Sequence, residues 1–261
     1  LQDHLSVGLT WRLKHPEKGL ALGSPLLTDP SFFNGWPVDF IQFGQVPANE
    51  LKTILQGSTT ESTDRKILLR PEACHTETIC LYAPLGVHMC GVDVAATGEY
   101  ITTLTVCLTP TSRGSVTIAS SDPADPPIID VNFNATEADR YILREGLKKT
   151  VSVMRETESG QSFIQDEVVP KGHTAVQPGS ANDTFDKRIR DFGVSLDHPC
   201  GSCAMGKVVD PECKVMGVQG LRVVDASIFP IPISAHPQAC VYALAEKAAE
   251  MIAQSADDVC F

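Results

Sequence analysis

Two stretches decide how this chain is read: Leu196-Asp197-His198-Pro199-Cys200-Gly201-Ser202-Cys203 and Ser234-Ala235-His236-Pro237-Gln238. Between them Gly220-Leu221-Arg222-Val223-Val224-Asp225-Ala226-Ser227 reads as a strand, Leu221 to Val224, ending in an acidic turn. After His236 comes a run from Ala239 to Ala253 with Val241, Leu244, Ala248, Met251 and Ile252 on one stripe. That spacing predicts a helix packed on its own domain. Each histidine therefore stands at the edge of a regular element, where the backbone can hold an imidazole in place.

Upstream, Ser6 to Leu13 and Val38 to Phe43 read as strands, and Glu99 to Leu108 has the Thr, Ile, Val and Leu content of a long one. Lys14 to Leu27 is rich in Gly, Pro and charge and reads as a loop; Glu50 to Arg65 is polar and poorly patterned. Arg113-Gly114 is a turn signal before a strand from Ser115 to Ala119, and Asp122-Pro123 and Pro126-Pro127 break regular structure. Thr136 and Asp139 mark a helix start continued by Leu143, Leu147, Val151 and Met154. A second helix runs from Thr184, with Phe185, Ile189 and Phe192 on one face and Gly193 as its stop. This mixed order predicts an α+β fold, an antiparallel sheet backed by helices. The expected parts are residues 1–196 and residues 197–261, the latter with a C-terminal strand and helix. No G-x-G-x-x-G occurs in the chain, so it carries no dinucleotide fingerprint of its own.

The net charge of −11 and pI near 5.0 disfavour a polyanionic partner such as nucleic acid. No apolar run reaches the roughly 18–20 residues of a membrane span. With 43% hydrophobic residues the chain can bury a sizeable core. Nine cysteines, an odd number, exclude complete internal pairing. Cys200-Gly201-Ser202-Cys203 is formally a C-x-x-C, but it lacks the strand-to-helix context of a redox motif and the second pair of a zinc site. Asn134-Ala135-Thr136 and Asn182-Asp183-Thr184 are sequons that would mark exposed loops in a secreted or extracellular protein.

Four segments resemble, in order, the C-terminal half of the glucose–methanol–choline (GMC) family of FAD-dependent oxidoreductases. They are Leu1-Gln2-Asp3-His4; Ser112-Arg113-Gly114-Ser115-Val116 with Asp122-Pro123 and Pro126-Pro127-Ile128; the His198 segment with Val209-Asp210-Pro211 and Val218 to Ser227; and His236-Pro237-Gln238 with its helix. Val131-Asn132-Phe133 departs from the Pro-Asn-Tyr common there. The form His236-Pro-Gln-Ala-Cys-Val-Tyr-Ala-Leu-Ala-Glu is most similar to fungal aryl-alcohol-oxidase-like members. The resemblance implies hydride transfer from an alcohol to flavin, with His198 as general base and His236 as hydrogen-bonding partner. It places Asp225, Ala226, Pro237 and Gln238 against the cofactor, with the start of the last helix adding positive dipole charge. It also makes residues 1–196 the substrate-binding domain and residues 197–261 the last part of the FAD-binding domain.

The start at Leu1, inside a motif, predicts a longer parent that carries the FAD and the nucleotide-binding half. The expected partners are a small-molecule alcohol and either that half or a second copy of the chain. The alternatives are a naturally truncated, flavin-free enzyme that uses the histidine pair for dehydration, cyclisation or isomerisation, and a non-catalytic binding fragment. His4, His15, His75, His88 and His173 read as structural or solvated.

Overall fold

Strict alternation of apolar and small polar residues builds this molecule around one strand. The computed structural model describes residues 1–58 and 60–257; Cys260 and the end of the expected 197–261 part lie outside them. The strands are β1 (Leu5–Leu13), β2 (Val38–Gly44), β3 (Thr76–Leu81), β4 (Tyr100–Cys107), β5 (Ser115–Thr117), β6 (Ile128–Asp130), β7 (Ile164–Glu167) and β8 (Val194–Ser195). The helices are α1 (Ala48–Gln56), α2 (Ser62–Leu68), α3 (Gly86–Cys90), α4 (Glu137–Glu156), α5 (Glu158–Phe163), α6 (Asn182–Phe192) and α7 (Gln238–Asp257). One six-stranded sheet runs β2-β3-β4-β1-β7, with β8 also pairing with β1, and every pairing is antiparallel. The expected α+β architecture is the one observed.

Strand β1 sends Leu5, Val7, Leu9, Trp11 and Leu13 to one face, where they join Ile142, Leu143, Leu147 and Val151 of α4 in the main core. Each such side chain removed from water contributes roughly 1.5–3 kcal/mol before entropy is counted. Thr136 caps α4 by accepting the Asp139 N–H, as the sequence predicts. Gly146 lets this helix close on the sheet: a Cβ there would lie 2.9 Å from methyls of Thr76 and Thr105. One turn on, Thr150 Oγ1 meets Thr78 Oγ1 at 3.1 Å and Thr105 Oγ1 at 3.0 Å.

Because side chains alternate along a strand, Glu77, Ile79 and Leu81 of β3 point away from α4. They share the opposite face with Leu104 and Val106 of β4, forming a second apolar cluster. Helix α3 covers this face so closely that a Cβ on Gly8 would stand 2.4 Å from Cys90 Sγ and 2.9 Å from the Met89 carbonyl oxygen.

Beyond residue 200 a third cluster forms from Val209, Cys213, Ile228 and Ala248, with Leu244 and Met251 of α7 against it. Helix α7 spans the expected Ala239 to Ala253. The expected strand from Leu221 to Val224 is corrected. It makes a single antiparallel bridge, Arg222 to Lys214, flanked by Val215 N–H to Leu221 and Val223 N–H to Cys213. The opposing segment turns at Cys213 (φ 62°) and Gly217 (φ 79°), so it presents no straight edge on which the β-forming Leu-Arg-Val-Val can build a ladder.

Other differences have similar origins. Within the stretch 50–65, read as unpatterned, residues 50–56 belong to α1 and 62–65 to α2, whose Leu51, Leu55 and Leu68 are buried. Strand β3 was hidden by Glu77, a charge in mid-strand, and β6 begins directly after Pro127.

Candidate active site

The chain start and the His198 loop are stitched together before any side chain reaches a cavity. Gln2 and Cys200 exchange both backbone bonds, N–H to O at 2.9 and 2.8 Å, and Leu196 N–H donates to the His4 carbonyl. Asp3 completes the stitch: its Oδ1 accepts the N–H of His4 at 2.7 Å and of His198 at 3.0 Å, and Ser195 Oγ donates to its Oδ2. Asp197 stands in the left-handed region, φ 60°, which an Asp tolerates better than most residues and which aims the next side chain inward. Burial pushes the Asp3 carboxyl up, while the Ser195 hydroxyl and the two backbone N–H groups pull it back.

Three imidazoles follow from this framework. His4 Nδ1 lies 3.0 Å from His198 Nδ1, with the rings 5.1 Å apart and nearly perpendicular. His198 meets His236 in turn, centroids 4.9 Å apart and planes at 82°. His236 ends the irregular segment before α7, and its Nε2 lies 2.9 Å from Oε1 of Glu77. Glu77 is fully buried, and its Oε2 has no partner among the described residues.

Electrostatics separates the members of this row. Burial, and then the neighbouring His198, lowers the His4 pKa to about 4, so this ring is neutral at ordinary pH. His198 is also lowered, by burial first and by the charge of His236 second. Burial pushes Glu77 up and His236 opposes that. Cys200 is driven to about 11 by burial, the reverse of an activated thiolate, and both Cys200 and Cys203 are unpaired.

His198 lines two cavities. The larger, about 600 Å³, has walls from Trp36, Ile41, Ile79, Met89 and Leu104, with His236 and Gln238 at its polar side. The smaller, about 290 Å³, is lined by Ala226, Phe229, Ile233, Pro237 and Val241. Of the residues predicted from sequence, His198 and His236 are brought together, Ala226 and Pro237 share the smaller cavity, and Gln238 faces the larger. Asp225 lines neither: its carboxylate accepts the Ser227 N–H and caps the turn Ala226–Ile228. His4, Asp3 and Glu77 were missed as site residues. The first two stand in a motif quoted for the family resemblance. Glu77 had only one signal, a carboxylate among Thr, Ile and Leu.

The smaller cavity suits the edge of a flat ring. Ala226, Phe229, Ile233, Pro237 and Val241 give it an apolar side facing His4, Asp197 and His198, the N-terminus of the twenty-residue α7 opens beside it, and the neighbouring Ser227 Oγ is buried with no partner among the described residues.

A family model described as GMC oxidoreductase matches residues 110–245. The chain belongs to the GMC oxidoreductase family, whose members are FAD-dependent flavoproteins. It is 37% identical over 250 residues to the GMC-type oxidoreductase acuG of Aspergillus aculeatus, covering 96% of this chain and 47% of that protein. Formate oxidase of Aspergillus oryzae has a similar fold (TM-score 0.75, 23% identity, 98% of this chain and 47% of that one). A fungal aryl-alcohol oxidase does too (TM-score 0.67, 24% identity, 97% and 47%). The chain spans about half the length of these proteins.

Proposed function

We propose that this chain is the C-terminal half of an FAD-dependent oxidoreductase that oxidises a small alcohol, with residues 1–196 forming the substrate layer and residues 197–261 closing the flavin site. The observation that carries this reading is the pair of perpendicular imidazoles, His198 and His236, 4.9 Å apart beside a cavity of about 600 Å³. FAD, when bound, supplies the hydride acceptor. Ala226 and Pro237 would hold the ring edge in the smaller cavity, Gln238 is the nearby side chain able to hydrogen-bond, and Asp225 keeps the Ala226 turn in shape.

The substrate hydroxyl has one hydrogen to give and lone pairs to be held. His198 uses Nδ1 against His4, so Nε2 is the nitrogen left to receive the hydroxyl proton. His236 uses Nε2 against Glu77, so Nδ1 is the nitrogen left to donate to the oxygen. Burial pushes the Glu77 carboxyl up, toward the protonated form that donates to His236 Nε2, and a ring that accepts there carries its hydrogen on Nδ1. His198 would thus take the hydroxyl proton while His236 supports the developing negative charge on oxygen, leaving the C–H hydrogen free to depart with its bonding pair to the acceptor that FAD would supply.

The test uses the full-length parent loaded with FAD. Anaerobic mixing with aliphatic and aromatic primary alcohols should bleach the flavin absorbance. His198→Ala should slow that reduction by about 10²–10⁴-fold with the fold intact, and His236→Asn by less, because an amide still bonds to oxygen. No reduction by any alcohol would sink the proposal.

A flavin-free proton-transfer enzyme is the second reading. It is favoured by the His–His–Glu row and its cavity, which could move a proton with this chain's own side chains. Flavin absorbance of the purified natural product separates the two. Of the two sequons, Asn182 is exposed at the start of α6 and Asn134 is half-buried, so Asn182 is the better acceptor if the protein is glycosylated.

A further inference from the structure

One histidine that borders the smaller cavity, His4, is left unexplained by the His198–His236 pair alone. His4 is 1% exposed and spends Nδ1 on His198 Nδ1 at 3.0 Å. Two facing imidazole nitrogens can bond only if one carries a hydrogen and the other a lone pair. Which one carries it is not neutral for function. If His4 donated, His198 would accept at Nδ1 and, as a neutral ring, would have its hydrogen on Nε2, turning the exposed nitrogen into a donor unable to act as a base.

The surroundings of His4 decide between these states. Its Nε2 is fully buried and makes no regular hydrogen bond among the described residues. The backbone groups that bear on the ring, those of Leu108 and Ile233, favour a proton on it. Carbonyl oxygens are acceptors only, so a lone pair directed at them is repelled and an N–H is attracted. A neutral His4 with hydrogen on Nε2 has its lone pair on Nδ1, facing His198. The backbone leaves little freedom to change this, since Asp3 Oδ1 holds the N–H of both histidines and Leu196 N–H holds the His4 carbonyl.

We propose that His4 is a positioning residue that sets the tautomer of His198, accepting its Nδ1 hydrogen so that the Nε2 lone pair faces the cavities. The base role of Nε2 rests on the alcohol-oxidation or proton-transfer reading above, but the tautomer does not. The titratable groups around the pair agree with the assignment. His236 faces His198 from the other side with its own hydrogen bond committed to Glu77, and the Asp3 carboxylate is occupied by backbone N–H groups and Ser195 rather than by either ring.

Long-range proton–nitrogen correlation spectra of the ¹⁵N-histidine-labelled chain, at about pH 7.5 where an ordinary imidazole is neutral, report which ring nitrogen holds hydrogen. The expected result is His198 with hydrogen on Nδ1 and His4 with hydrogen on Nε2. His4→Gln, whose amide oxygen can accept the same hydrogen, should keep His198 in that form. His4→Phe should release it toward the Nε2–H form. Should His4→Phe fail to fold, the unmodified chain and His4→Gln decide alone. His198 with hydrogen on Nε2 in the unmodified chain overturns the proposal, as does an unchanged His198 spectrum in folded His4→Phe. Loss of the alcohol-oxidation reading would show separately, as flavin that no alcohol bleaches while the tautomers stay as assigned.

Discussion

At the scale of single residues, two carboxylates and three imidazoles carry the site. Asp3 anchors two histidines through their backbones, and each outer group, His4 and Glu77, occupies one nitrogen of its neighbour. His4 also makes the fold sensitive to acid. Its pKa is about 4 when folded and near 6.5 when unfolded, so between these values the unfolded chain holds more protons. Stability is therefore expected to fall as pH drops from about 6.5 to about 4, by roughly 3 kcal/mol from this group. Asp3 and Glu77, both pushed up by burial, act with the opposite sign over their own range, so the His4 part is read as a difference. Urea midpoints of the chain and of His4→Gln, compared at neutral and mildly acid pH, should diverge in that window. Parallel midpoints would refute it. Under the proposed reaction the lowered pKa of His198 also places the acid limb of kcat/KM below the ordinary imidazole value of about 6.5; a limb above that value would point to another base.

At the scale of elements, the site depends on two faces of one sheet being built differently. On one face Gly146 and Thr150 let α4 close on β3 and β4. On the other, Gly8 lets α3 bring Met89 into the cavity wall. Gly8→Ala forces a methyl into Cys90 Sγ and the Met89 carbonyl, and is expected to cost about 1–3 kcal/mol. Gly179→Ala, with open space around its Cβ, should leave stability nearly unchanged. Thermal denaturation of the two variants compares them directly, and equal midpoints would mean that α3 does not pack this tightly.

At the scale of the whole molecule, apolar side chains remain uncovered. Trp36 and Phe40 stand in the open near the sheet edge, and Val218, Leu221 and Tyr242 do so in the C-terminal part. The expectation is that this chain alone binds an apolar dye and self-associates, because surfaces of this kind are seldom left bare. Supplying the other half of a full-length relative-sized protein should suppress both. A monomer by light scattering that ignores the dye would speak against an interface there.

Local chemistry was enough to determine the helix α4 with its Thr136 cap, the helix α7, the strands β1 and β4, and the two histidines worth pairing. Each is written in neighbouring residues: a cap, a 3.6-residue stripe, an alternation, a motif. Tertiary structure alone decided the rest. It turned Leu221 to Val224 into a bridge because no straight edge lies beside it. It also made Glu77 and His4 members of the site although they stand far from His198 and His236 in the chain. A strand's alternation says that Glu77 lies opposite Thr76 and Thr78, but not which face will hold the cavity. That follows only once α4 has packed on the threonines and left the carboxylate facing His236.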